Sequence, residues 1–255
     1  MPMKYKLFKS PVDDRDIMHD AVQSSAILPS HMDLSEYMPP VLDQGELGSC
    51  ASNATSNILR HLLKKEGKAE FQPSRLYIYF NTRVNVEHSP VDEDTGVCIR
   101  DVCKALSKYH ACSETVWPYI ISRFSIAPSL EAFKNAELNK QVKYAYVPQD
   151  LESIKKCIYA KHPIIIGIQV YESLESQTTM ETGVIPMPDV QNEKCLGGHA
   201  IALTGYSDET KRFTIQNSWG TSVGLPDKRG FFTIPYDYVL DPNLAQDFWV
   251  ISLFD

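Results

Sequence analysis

The sequence predicts an α+β fold of two lobes, a helical first lobe over roughly 45–135 and an antiparallel, barrel-like β lobe over roughly 136–255. In the first half, apolar residues recur at helical spacing. In the second half, short alternating or continuous apolar runs are separated by turn residues. No internal repeat or low-complexity linker divides the 255 residues, so they form one large domain or two fused lobes around a shared cleft.

The helices follow in order. Cys50 opens the first, with Ala51, Ala54, Ile58 and Leu62 on one stripe and Leu59 and Leu63 widening it. Lys64 and Lys65 in the last turn and Gly67 beyond are stop signals. A second helix starts after Pro73-Ser74 and runs through Leu76, Tyr77 and Phe80. A third spans about 99–109, with Ile99, Val102, Cys103, Leu106 and Tyr109 on one side. Val142, Tyr144 and Tyr146 then alternate as a half-buried strand does. Asp150 caps a short helix through Leu151, Ile154 and Ile158. Strands are expected near 163–170, 199–205, 212–217, 230–234 and 248–253. Residues 172–198, rich in Glu, Thr and Pro, read as a long loop.

Net charge is -7 with a pI near 5.5, and no long Lys/Arg run appears, which argues against a nucleic-acid partner. The start, MPMKYKLFKSP, has no apolar region of signal-peptide length. The longest apolar run, 164–168, is far too short to span a bilayer. The expectation is therefore no membrane association and a cytosol-like compartment with reduced thiols. Six cysteines stand at 50, 98, 103, 112, 157 and 195, and all but Cys50 read as free packing residues. Cys98 and Cys103 lack zinc-ligand spacing, so neither metal nor cofactor is expected.

The chemistry is carried by three short segments: Gln44-Gly45-Glu46-Leu47-Gly48-Ser49-Cys50, Gly197-Gly198-His199-Ala200, and Asn217-Ser218-Trp219-Gly220. They supply an amide donor, a thiol, an imidazole and a second amide able to hold the imidazole. Those are the parts of thiol-dependent acyl transfer. Cys50 lies at a helix N-terminus, where backbone N–H groups and the helix dipole favour a thiolate. Alone, each residue has a plainer reading: a buried cysteine, a core histidine, a turn asparagine, a surface glutamine. His19, His31, His61, His88, His110 and His162 have no motif around them and read as surface or packing residues.

The order and local sequence of these segments resemble the papain-like cysteine peptidases. The resemblance runs from Leu28-Pro29-Ser30-His31-Met32-Asp33, which looks like a mature start, to Gly230-Phe231-Phe232, which looks like the strand after Asn-Ser-Trp-Gly. It implies a papain-like two-lobe fold with the site in the cleft, of a bacterial or large-DNA-virus type, the viral case adding a virion-associated location to the cytoplasmic one. It also implies a peptide or protein substrate, hydrolysed through a thioester on Cys50. His199 would form the ion pair with Cys50 and protonate the leaving amine. Asn217 would orient His199, with Trp219 shielding that bond. Gln44 and the Cys50 N–H would bind the oxyanion. Gly96 and Gly198 would pair with substrate backbone. Rival readings are a silent binding module on the same fold and an acyl transferase or ligase using the same thioester.

Three positions depart from the family pattern. Leu47 replaces the usual disulfide cysteine, Ala51 the tryptophan after the nucleophile, and Val223 the second tryptophan of the asparagine motif. Residues 1–27 precede the family's usual start and are acid-rich at Asp13, Asp14, Arg15 and Asp16. They are either a short pro-segment that reaches the cleft and limits access to Cys50, or a structural arm.

Overall fold

α1 (Cys50–Lys65) ends as its sequence dictates, with Lys64 and Lys65 in the last turn. The computed structural model describes residues 5–139 and 141–253. Within it α1 is more deeply buried than an apolar stripe requires. Ile58, Leu59, Leu62 and Leu63 are buried, and so are Ser52, Asn53, Thr55, Ser56 and Asn57. Most of those polar groups are satisfied. Thr55 Oγ1 donates to the Ala51 carbonyl at 2.7 Å, Ser56 Oγ to that of Pro73 at 2.6 Å, and Asn57 Nδ2 to that of Pro40 at 3.0 Å. Burial of polar groups is tolerated on such terms.

Around α1 stand α2 (Arg75–Phe80), α3 (Ile99–Tyr109) and α4 (Leu130–Glu137). The Ser74 side chain caps α2 by accepting the Tyr77 N–H at 3.1 Å. The helix then continues as a wider π-turn over Asn81–Val86. α4, capped by Ser129, has too little periodicity to be anticipated; Ala132 and Ala136 are its only buried residues.

The second half supplies most of a seven-stranded sheet. Its strands are β4 (Val142–Tyr146), β5 (Ile164–Tyr171), β6 (Cys195–Ser207), β7 (Arg212–Gln216), β10 (Phe231–Pro235) and β11 (Ala245–Leu253), ordered β10-β7-β6-β5-β11-β4. The seventh, β2 (His31–Asp33), pairs with β6. All these pairings are antiparallel. Among the described residues β10 and β4 do not pair, so the sheet is open and not a closed barrel. Alternation sorts its two faces. Ile165, Ala200, Ala202, Trp249 and Ile251 face α1 and the helical core. Ile164, Ile166, Ile201, Leu203 and Val250 face a second core with α5 (Leu151–Tyr159) and α7 (Tyr236–Leu240). Asp150 caps α5, accepting the Ser153 N–H at 2.8 Å.

The expected loop 172–198 is more ordered than composition suggested. It holds a 3-10 turn (Glu172–Glu175) and α6 (Gln177–Thr182), capped by Ser176 and ended by Gly183 at φ +69°. β6 begins at Cys195, so Gly197, Gly198 and His199 already lie in strand. Pairing with β5 at Gln169, Val170 and Tyr171 extends the strand, although glycines alone disfavour it. Two short hairpin strands, β8 (Gly224–Leu225) and β9 (Lys228–Arg229), complete this half.

The N-terminal segment, whose first four residues lie outside the described ones, is docked at several points. β1 (Leu7–Phe8) pairs in parallel with β3 (Val97–Cys98). Asp13 and Asp16 form ion pairs with the buried Arg100 of α3. The His19 N–H donates to the Tyr146 carbonyl at 3.0 Å, and Lys156 Nζ to that of Val22 at 3.2 Å.

Candidate active site

Two loops are stitched together beside the start of α1. The Gln44 N–H donates to the Ser218 carbonyl at 2.9 Å, and the Gly220 N–H to that of Leu42 at 3.0 Å. The 44–50 segment and the Asn217 segment are thus one rigid unit before any catalytic side chain is considered.

His199 Nε2 donates to Asn217 Oδ1 at 2.8 Å. The same oxygen accepts the Ser218 N–H at 2.8 Å, which fixes the amide's orientation. Trp219 stacks on the imidazole, with centroids 5.0 Å apart and planes 24° apart. The other ring nitrogen, Nδ1, is buried without a hydrogen-bond partner.

Cys50 is the first residue of α1 and is buried. Its sulfur interacts with the backbone N–H of Ala200, the neighbour of His199, and with those of Ala51 and Cys50 at the helix start. Gln44 is held by its carboxamide. Ser218 Oγ donates to Oε1 at 2.6 Å, and Nε2 donates to the Leu47 carbonyl at 3.1 Å. That leaves one Nε2 proton available. Ser218 therefore orients both amides, a role that sequence reading did not assign to it. Tyr119 is also new: its hydroxyl donates to the Gln44 carbonyl at 2.8 Å and lies 2.6 Å from Ser49 Oγ. No motif around Tyr119 could have announced this.

Gly96 and Gly198 both face backbone, and the backbone is the chain's own. Gly96 has φ +78°, and a Cβ there would lie 1.8 Å from the Lys6 carbonyl oxygen. At Gly198 a Cβ would lie 2.5 Å from that of Leu7. Lys6 also bridges to Gly198 in parallel sense. Tyr5 caps the imidazole, its ring edge-on to His199 at 5.7 Å and to Trp219 at 6.2 Å, with its hydroxyl donating to Glu175. Leu7 is buried beside Gly167, where a Cβ would meet its Cδ2 at 2.7 Å.

This cover changes the electrostatics expected from sequence. Burial pushes the Cys50 thiol up to about 11, against smaller opposing effects of the Ala200, Ala51 and Cys50 N–H groups. Burial likewise pushes His199 down to about 4, against the Asn217 hydrogen bond. Burial at both groups thus works against the charged forms that the expected ion pair needs. Desolvation penalises both charges, and the helix N-terminus does not outweigh it.

All six cysteines are free. Cys98, Glu87 and Asp101 bring possible ligand atoms within 4.8 Å of one another. There, one Glu87 oxygen accepts the Cys98 N–H at 2.7 Å, and Asp101 pairs with Lys104 at 3.3 Å. Val223 packs as a partly buried residue against the second core. No helix among the described residues is long and apolar enough to cross a membrane.

Residues 28–240 match the family described as papain family cysteine protease. A relative from Acanthamoeba polyphaga mimivirus, described as an uncharacterized peptidase C1-like protein, is 39% identical over 220 residues, 83% of this chain and 69% of its own length. Xylellain, a cysteine protease from Xylella fastidiosa, is 33% identical, with a TM-score of 0.87 over 100% of this chain and 99% of its own. Digestive procathepsin L 3 of Tenebrio molitor larval midgut is 16% identical and shares the fold, with a TM-score of 0.73 over 98% of this chain and 76% of its own. The chain belongs to the papain family of cysteine proteases, as a cysteine-type peptidase with the family's α+β two-lobe fold.

Proposed function

We propose that the chain hydrolyses peptide bonds through a thioester on Cys50, and that its own residues 5–8 cover that site until displaced. The observation that carries the reading is the division of the His199 ring. Nε2 is committed to Asn217 at 2.8 Å, and Nδ1 is left without a partner beside the strand position that contacts the thiol.

Once the cover leaves, water returns to the cleft and the desolvation that works against both charged forms is relieved. The Cys50 proton passes to His199 Nδ1, and the thiolate attacks the substrate carbonyl. The oxyanion takes the remaining Gln44 Nε2 proton and the Cys50 N–H. His199 returns its proton to the leaving amine. Water then attacks the thioester with His199 as base, and the thiol is regenerated. Asn217 and Trp219 act as positioning residues through the imidazole. Gly96 and Gly198 give substrate backbone the approach that the chain's own residues now occupy. Residues 1–27 are in this reading a pro-segment fused to the peptidase domain at 28–255, with substrate peptides as competitors for its place.

Cys50→Ala tests the chemistry. Turnover of a peptide amide should vanish while the melting temperature stays close to that of the parent, since Ala fits where Cys did. Intact-mass analysis of the parent during turnover should show an adduct of acyl mass on Cys50. Undiminished cleavage by Cys50→Ala would sink the thioester reading. A product formed only with an added amine acceptor would move it to acyl transfer.

A further inference from the structure

Behind the loop that carries Gln44, a relay of hydrogen bonds runs from α2 to both groups that would hold the oxyanion. It starts at Arg75. The guanidinium grips Glu114 with two bonds, Nε to Oε2 at 3.0 Å and Nη2 to Oε1 at 2.7 Å. Its third nitrogen, Nη1, donates to the Asp43 carbonyl at 2.8 Å and to Asn53 Oδ1 at 3.0 Å. Asn53 Nδ2 donates to Ser49 Oγ at 3.0 Å. Ser49 Oγ lies 2.6 Å from the Tyr119 hydroxyl, which donates to the Gln44 carbonyl at 2.8 Å. A phenol carries one proton, so the serine is the donor in that pair. The links therefore all point the same way, and each polarises the next.

The relay reaches two peptide units. The Ser49 carbonyl accepts the Asn53 N–H and Asn53 Nδ2, each at 3.0 Å. A peptide unit is planar, so holding that carbonyl fixes the direction of the Cys50 N–H in the same unit. On Gln44 the N–H is held by Ser218 and the carbonyl by Tyr119, while Asp43 Oδ1 accepts the following Gly45 N–H at 2.9 Å. The backbone is thus fixed on both sides of the Gln44 side chain. Ser49 is also the N-cap residue of α1, where a serine ordinarily accepts an N–H of the first turn. It makes no such bond. Its hydroxyl serves the relay instead. The Arg75 guanidinium lies over the Tyr119 ring, 3.7 Å from the centroid, and this cation–π contact aims the hydroxyl. Arg75, Ser49 and Asn53 are all buried.

We infer that Tyr119 is a positioning residue for the oxyanion site: with Ser49 it sets where Gln44 and the Cys50 N–H stand relative to each other. The inference rests on the peptidase reading above, and its test separates the two. The background is the full-length chain carrying Leu7→Asp, which puts a carboxylate where a buried leucine sat and loosens the cover. In it, Tyr119→Phe keeps the ring against Arg75 and removes only the hydroxyl. Two probes of the same sulfur are compared. A tripeptide aldehyde adds to Cys50 reversibly and places an oxygen where the oxyanion forms. Iodoacetamide alkylates Cys50 by displacing iodide, and no negative oxygen forms. Tyr119→Phe should weaken aldehyde binding about tenfold, less than the ~10²–10³ of losing an oxyanion donor outright, and leave the alkylation rate within about twofold. For a tripeptide coumarin amide, kcat should fall by a similar factor with KM little changed. Ser49→Ala breaks the relay one bond earlier and should reproduce the pattern; it decides the matter if Tyr119→Phe does not fold. Unchanged aldehyde affinity, or an equal loss for both probes, overturns the proposal. An aldehyde that binds while no peptide amide is cleaved counts against the peptidase reading alone, and the two probes still decide the role of Tyr119.

Discussion

The strap over the thiol, residues 5–8, and the anchor behind it, residues 13–23, belong to one N-terminal segment but are held by different forces. The strap is held by backbone and shape: parallel pairing of Leu7 and Phe8 with Val97 and Cys98, glycines that leave no room for a side chain, and one buried leucine. The anchor is held by charge and polar contacts: Arg100 against Asp13 and Asp16, Lys156 on the Val22 carbonyl, and His19 on the Tyr146 backbone. Magnitudes explain why both are needed. Burying Leu7 contributes about 2 kcal/mol. Ordering the strap's backbone costs roughly 1–2 kcal/mol per residue. The apolar contact alone does not hold four residues in the groove. The anchor offsets part of that cost by keeping the strap at high local concentration.

Breaking the strap should have the largest effect. Leu7→Asp removes the apolar contact and opens the cleft to water, so the Cys50 thiol should fall from about 11 towards its ordinary 9. Two pKa units correspond to about a hundredfold more thiolate at pH 7. Iodoacetamide labelling of Cys50, followed by peptide mapping, should accelerate accordingly. A rate unchanged within a factor of two would mean that the strap does not govern the thiol.

Loosening the anchor should do less. Arg100→Gln leaves the strap's own contacts intact but removes the cation shared by Asp13 and Asp16. Labelling of Cys50 should rise only a few-fold, about what a partly screened ion pair contributes. Its salt dependence should flatten, since added salt weakens the same pair in the parent. If Arg100→Gln labels as fast as Leu7→Asp, the two regions act as one.

The smallest effect concerns acid. His19 of the anchor lies edge-on to His162, with centroids 4.8 Å apart. Burial pushes His162 down to about 3, with Lys65, His19 and His61 adding repulsion. Below its ordinary 6.5 the imidazole is protonated in the unfolded chain but not in the folded one. Stability is therefore lost as pH falls from 6.5 towards 3, by at most about 1.4 kcal/mol per pH unit for this one group. His162→Gln should flatten the fall of melting temperature between pH 6.5 and 4. Equal slopes in parent and variant would remove His162 from the acid response.

How much of the site was readable from the chain follows from how local each signal was. Cys50 and the Asn217 segment were proposed from their neighbours in sequence, and Gly96 and Gly198 from the glycine itself. Ser218 lay inside a recognised motif, yet its grip on Gln44 spans 174 residues and has no local trace. Asp94 stood two residues from a glycine already singled out, and its contacts with Lys6 and Gly48 join segments distant in the chain. The six remaining histidines read as surface or packing residues, but His19 and His162 meet only because the anchor docks on the lobe that carries α5.

By itself the sequence determined the α1, α3 and α5 helices and the strand-rich second half, and it proposed the thiol, imidazole and amides. Those depend on periodicity, caps and short motifs, which act over a few residues. Tertiary structure decided three further things. α1 is buried on nearly every side, because Pro40, Pro73, Arg75 and Gln216, all distant in the chain, pack against its serines and asparagines. The sheet stays open, because pairing among distant strands sets closure and strand composition does not. Burial disfavours the charged thiol and imidazole, because desolvation depends on what surrounds a group in space rather than on what adjoins it in the chain.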